Sequence, residues 1–199
     1  MPGRPHLPET IRRIVLTGFM GAGKSTIGAL LAQSLGWHFI DSDLVIEREA
    51  GRSIAQIFAE QGEAAFRTME AKAIRAQTLR EESVLALGGG AIESALTREV
   101  LSTLTKTKIV FLDAPLDVMV DRCLAQPNAA ERPVLTDRLR LLKRFASRLP
   151  YYRQAHLTVP TAGLSPHKVV VRILSELTET GPAEPAAIEI TDEKGLPTR

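Results

Sequence analysis

Gly18-Phe19-Met20-Gly21-Ala22-Gly23-Lys24-Ser25 follows directly on the apolar run Ile14-Val15-Leu16. No other stretch narrows the possible folds as sharply. The spacing G-x-x-x-x-G-K-S asks for a strand before it and a helix after it. Its glycines let successive backbone N–H groups curl inward around phosphate oxygens, and the helix that follows adds its positive N-terminal end. Lys24 is then placed to reach the β- and γ-phosphates, and the Ser25 hydroxyl to ligate Mg²⁺. The loop marks a binder of a nucleoside triphosphate.

The rest of the chain repeats the strand-then-helix rhythm. Strand-like runs cover Arg13 to Leu16, His38 to Ile40, Val84 to Leu87, Ile109 to Leu112 and Leu157 to Val159. Helical periodicity fills Lys24 to Leu35, stopped by Gly36, then Glu63 to Glu81, Leu116 to Ala125, Asp137 to Tyr152 and Pro166 to Leu177. Ser53-Ile54-Ala55-Gln56 reads as a capping box opening a short helix that ends at Gly62. Alternation of this kind predicts an α/β fold: a three-layer sandwich with a five-stranded parallel sheet and helices on both faces. Right-handed crossovers bring every strand's C-terminal end to one edge, where ligands bind. Residues 11–177 are expected to form the single domain, with residues 1–10 a flexible start and 178–199 a disordered tail. Residues of about 123–135, irregular and bearing Arg132, are the expected lid.

Four further features fall at that edge or face it. They are Asp41-Ser42-Asp43, Arg67 within Ala65-Phe66-Arg67, the triplet Gly88-Gly89-Gly90, and the arginines Arg132 and Arg153. Each also has a plain structural use. The aspartates can cap a helix, the glycines can make a tight turn, and the arginines can be solvated surface charges. Their gathering on one sheet edge behind a phosphate loop favours a joint role.

Taken in order, these segments closely resemble the shikimate kinases, small P-loop kinases of the nucleoside monophosphate kinase type. The resemblance runs from about Ile14 to Leu177. It includes Phe39-Ile40-Asp41-Ser42-Asp43, Gly62-Glu63-Ala64-Ala65-Phe66-Arg67, Arg132-Pro133-Val134-Leu135 and Tyr152-Arg153. It implies ATP and Mg²⁺, with Gly21, Ala22, Gly23, Lys24, Ser25 and Thr26 cradling phosphates, and Ser25 and Asp41 near the metal. Lys24, Asp41 and Arg132 are the implied catalytic residues. Arg132 would cover the transferring phosphoryl group, and Arg122 would flank the adenine. Asp43 would bind shikimate hydroxyls, Gly88, Gly89 and Gly90 would lie against its ring, and Arg67 and Arg153 would grip its carboxylate. Asp41 is open to two roles, general base or orienter of the metal's shell.

Composition limits the alternatives. Lys and Arg number 25 against 23 Asp and Glu, a formal net charge of +2. Such a balance gives no basic stripe for nucleic acid. One cysteine, Cys123, excludes an intrachain disulfide and points to a reducing compartment, the cytosol. No apolar run is long enough to span a bilayer. A monomer acting on small molecules is expected. The rival readings are another small-molecule kinase, such as a gluconate or nucleoside monophosphate kinase, and a nucleotide-gated module without turnover.

Overall fold

The computed structural model describes residues 5–125 and 137–179. Five strands, β1 (Arg13–Thr17), β2 (His38–Asp41), β3 (Ser83–Ala86), β4 (Thr107–Asp113) and β5 (Leu157–Pro160), form one parallel sheet in the order β2-β3-β1-β4-β5. Central strand β1 is buried on both faces from Ile14 to Thr17, as parallel sheets with helices above and below require. Among the described residues seven helices pack on the sheet, giving the three layers expected. Among the described residues, no helix is long and apolar enough to cross a membrane.

Helix α1 (Lys24–Leu35) buries Ile27, Leu31 and Leu35 at helical spacing and ends on Gly36 in the left-handed region, φ 71°. It packs on helix α7 (Pro166–Glu179). Two helices go beyond the sequence reading. Helix α2 (Ser42–Ala50) starts directly at the Asp-Ser-Asp step, and α4 (Ala95–Ser102) starts after its cap, Ser94. Both are short, which leaves periodicity little room to register.

Helix α3 (Ile54–Gln77) opens with the capping box, Ser53 and Gln56 each bonding the other's backbone N–H. Gly62 breaks its helical geometry, with φ 79° and ψ 174°, at the residue where the sequence separates two helices. The second half buries Phe66, Glu70, Ala73 and Ile74. Helices α5 (Leu116–Leu124) and α6 (Arg138–Tyr152) complete the set, and α6 packs against a single 3-10 turn, Ala91–Glu93, that follows the glycine triplet.

Candidate active site

Because all five strands point the same way, the segments after β1, β2, β3 and β5 share one edge. A cavity of about 460 Å³ opens there, lined by residues 20–27 of the loop and α1, by Asp41 and Asp43, by Gly89, and by Arg122 and Thr161.

The loop's shape is fixed by its glycines. Gly21 has φ +75°, and a β-carbon on it would run into the carbonyl of Met119. Only glycine suits that position. Lys24 Nζ donates to the carbonyls of Gly18 (2.8 Å) and Phe19 (3.0 Å), so the ammonium is held inside the loop. Burial brings Lys24 down to about 8, against the upward pull of Asp43 and Asp41.

Ser25 Oγ donates to Asp41 Oδ2 at 2.7 Å. Asp41 Oδ1 accepts from the Asp43 backbone N–H at 3.1 Å, capping α2. Asp41 therefore has both the structural use and the placement expected of a site residue. A hydroxyl and a carboxylate oxygen in one hydrogen bond are hard donors, and they suit Mg²⁺, which takes few protein ligands and leaves the remainder to phosphates and water. Burial raises Asp43 to about 6, with Asp41 adding to the rise and Lys24 opposing it.

The glycine triplet is pinned from two sides. Gly88 N donates to Ser42 Oγ (2.9 Å), and the Gly89 carbonyl accepts from the Tyr152 hydroxyl (2.5 Å). Tyr152 is buried, stacked on Phe111 with ring centroids 5.1 Å apart, and burial pushes its phenol upward. At Gly90 the backbone runs against two guanidiniums. A β-carbon there would stand 2.6 Å from Arg67 Nη2 and 3.0 Å from Arg148 Nη2. Arg67 is anchored by Glu70, Nη1 to Oε2 at 2.7 Å, and bonds the more exposed Glu63 at 3.1 Å. Burial raises Glu70 to about 7, although Arg67 pulls it down. Gly90→Ala is expected to splay the two guanidiniums. It should raise the acceptor KM about tenfold with little change in melting temperature, because side-chain ends yield more readily than backbone. Equal losses in stability and acceptor binding would overturn that account.

The shikimate kinase family profile matches residues 20–178. The chain belongs to the shikimate kinase family. The shikimate kinase of Psychrobacter cryohalolentis is 41% identical over 173 residues, covering 85% of this chain and 90% of that protein. The structure of the Acinetobacter baumannii shikimate kinase in complex with shikimate superposes with a TM-score of 0.76 at 38% identity, covering 85% of this chain and 94% of that one. A gluconokinase from Sinorhizobium meliloti reaches a TM-score of 0.58 at 20% identity over 85% of this chain and 93% of its own, which is a likeness of fold alone.

For this shikimate kinase family member, the structure brings most of the expected residues together. Residues 21–26, Asp41, Asp43, Gly89 and Arg122 line the same cavity, and Gly88, Gly90 and Arg67 adjoin it. Arg122 donates to Thr161 Oγ1 (2.9 Å) and to the Thr161 carbonyl (2.8 Å), tying α5 to the loop after β5. Arg132 and most of the expected lid lie outside the described residues.

Arg153 departs from expectation. It is exposed at the C-cap of α6, and the guanidinium paired with Arg67 belongs to Arg148. The reason is helical phase. Leu141, Arg148 and Tyr152 form the buried stripe of α6, and Arg153 lies a further 100° round. Reading that stripe from Tyr152 backward by one turn would have found Arg148. Glu70 and Glu93 were also missed. Glu70 was signalled only by its position three residues after Arg67 on the apolar face.

Proposed function

We propose that the chain transfers the γ-phosphoryl of ATP to the 3-hydroxyl of shikimate, giving shikimate 3-phosphate and ADP. The observation that carries this reading is the meeting of Arg67 and Arg148 at Gly90, next to Asp43 and the phosphate loop. Two planar forks suit one carboxylate, and a half-buried aspartate beside them suits a hydroxyl. The solved relative from A. baumannii, which carries shikimate, supports the choice of acceptor.

Phosphoryl transfer passes through a loose transition state, so positioning and charge neutralisation do most of the work. Ser25 and Asp41 would hold Mg²⁺, which would supply charge neutralisation at the phosphates. Lys24 adds its ammonium at the β- and γ-oxygens. Asp41 is assigned the orienting role: the bonds from Ser25 and from the α2 backbone fix its carboxylate beside the loop and leave each oxygen a further lone pair. Asp43, whose burial brings it nearer neutrality, accepts the hydroxyl proton as the oxygen attacks. Arg67 and Arg148 hold the ring still. Arg122 flanks the adenine, and Arg132 keeps its role over the transferring group on the strength of the sequence resemblance. A monomer working in the cytosol completes the proposal; buried Cys123 fits a reducing compartment.

The test is ADP release from ATP and Mg²⁺ with shikimate, run beside gluconate, a nucleoside monophosphate and no acceptor. Release stimulated by shikimate alone is expected. Stimulation by gluconate or a nucleoside monophosphate instead would move the acceptor assignment and leave the nucleotide half intact.

A further inference from the structure

Glu93 occupies a place that the transfer chemistry does not explain. It closes the 3-10 turn after the glycine triplet, and its Oε2 lies 2.7 Å from Arg148 Nη2 and 3.9 Å from Arg67 Nη2. Among the described residues it is the carboxylate that pairs with both guanidiniums. Glu70 touches Arg67 from a fully buried position and cannot move aside, whereas the Glu93 side chain is 32% exposed and can swing into water. Arg148 is almost wholly buried, and its Nε has no hydrogen-bond partner. Without Glu93, a poorly solvated cation would stand open to any anion in solution.

We propose that Glu93 sets the affinity threshold of the acceptor site: an internal carboxylate that fills the Arg67–Arg148 fork in the free protein and is displaced by the acceptor's own carboxylate. This rests on the reading of that fork as the acceptor's anchor. A ligand must replace the 2.7 Å pair between Glu93 and Arg148. Shikimate offsets that loss through hydroxyl contacts at Asp43 and the glycine turn. A bare carboxylate or inorganic anion brings no such contacts and fails to displace the side chain. The pair thus sets a common threshold of affinity, which shikimate clears through its hydroxyl contacts and a bare anion does not.

Glu93→Gln tests it, because the amide keeps an acceptor for Arg148 while removing the charge. Two ligands are titrated calorimetrically into the full-length nucleotide-free protein, shikimate and benzoate, the second a carboxylate without hydroxyls. Relative to the unaltered protein, Glu93→Gln is expected to bind benzoate at least about fivefold more tightly, and shikimate by a similar factor, because the same internal pair is relieved for either ligand. Both gains should shrink at about 0.5 M salt, since Glu93 is partly exposed. In turnover, the shikimate KM should fall while kcat and the ATP KM stay within about twofold. A merely structural Glu93 would give the opposite, weaker shikimate binding and a lower melting temperature, and that result would overturn the proposal. So would benzoate affinity that does not change. Failure of the acceptor reading shows up separately, as no shikimate-stimulated ADP release by the unaltered protein, and the benzoate comparison is unaffected by it.

Discussion

Lys24→Met is expected to lower kcat/KM for ATP about 10²- to 10³-fold while leaving the fold intact. The charge lost is the one placed to meet the β- and γ-oxygens, and an uncharged chain of similar length still fills the loop. The melting temperature should hold or rise, since a desolvated ammonium is removed. The same residue sets a pH limit. Burial lowers Lys24 to about 8, so in the free protein the ammonium is lost as pH rises through that value. The kcat/KM for ATP, which reports free-enzyme ionisations, should then fall about tenfold per pH unit above about 8. Lys24→Arg, which cannot lose its proton in this range, should retain some activity and show no such alkaline limb. An alkaline limb that persists in Lys24→Arg would assign it to another group.

Arg148→Ala is expected to raise the shikimate KM about 100-fold, the equivalent of about 3 kcal/mol for a charge-assisted pair, with the ATP KM nearly unchanged. Arg148→Lys should recover little of this, because an ammonium cannot present a planar fork. Arg153→Ala, one turn further and exposed, should change neither constant by more than about twofold. The two variants discriminate sharply. A large acceptor defect in Arg153→Ala with none in Arg148→Ala would restore the pairing expected from the Tyr152-Arg153 step and remove Arg148 from the site.

Much of this was readable in the chain because the informative signals are local. The phosphate loop, the cap at Ser53, the stop at Gly36 and the break at Gly62 each depend on a few adjacent residues, and the structure repeats them at the same positions. Strand order is less local, yet alternation of strand and helix was enough to put Asp41, Asp43 and the glycine triplet on one edge. What escaped depends on the relative rotation of elements. Arg148 and Arg153 are equally basic and five residues apart; only the phase of α6 against the 3-10 turn decides which faces Gly90. Glu93 was invisible for the same reason. A glutamate after a glycine turn reads as solvated until α6 brings Arg148 within 2.7 Å of it. Helices α2 and α4 show another limit, where a short helix is declared by its cap more than by its periodicity.

The seating of the two guanidiniums also bears on how such a catalyst can change its diet. In the proposed reading the nucleotide would meet residues of the loop, α1, the β2 edge and Arg122, whereas the acceptor would meet Arg67 of α3 and Arg148 of α6, displacing Glu93 of the 3-10 turn. These two sets share almost no side chains, touching chiefly through Asp43 and the Gly88–Gly89 backbone. Drift at residues 67, 93 and 148 can therefore retune which polyol acid is accepted without disturbing the phosphate donor, and an engineer could randomise those three positions as a cassette. A division of labour of this sort lets one scaffold be inherited by kinases with unrelated appetites.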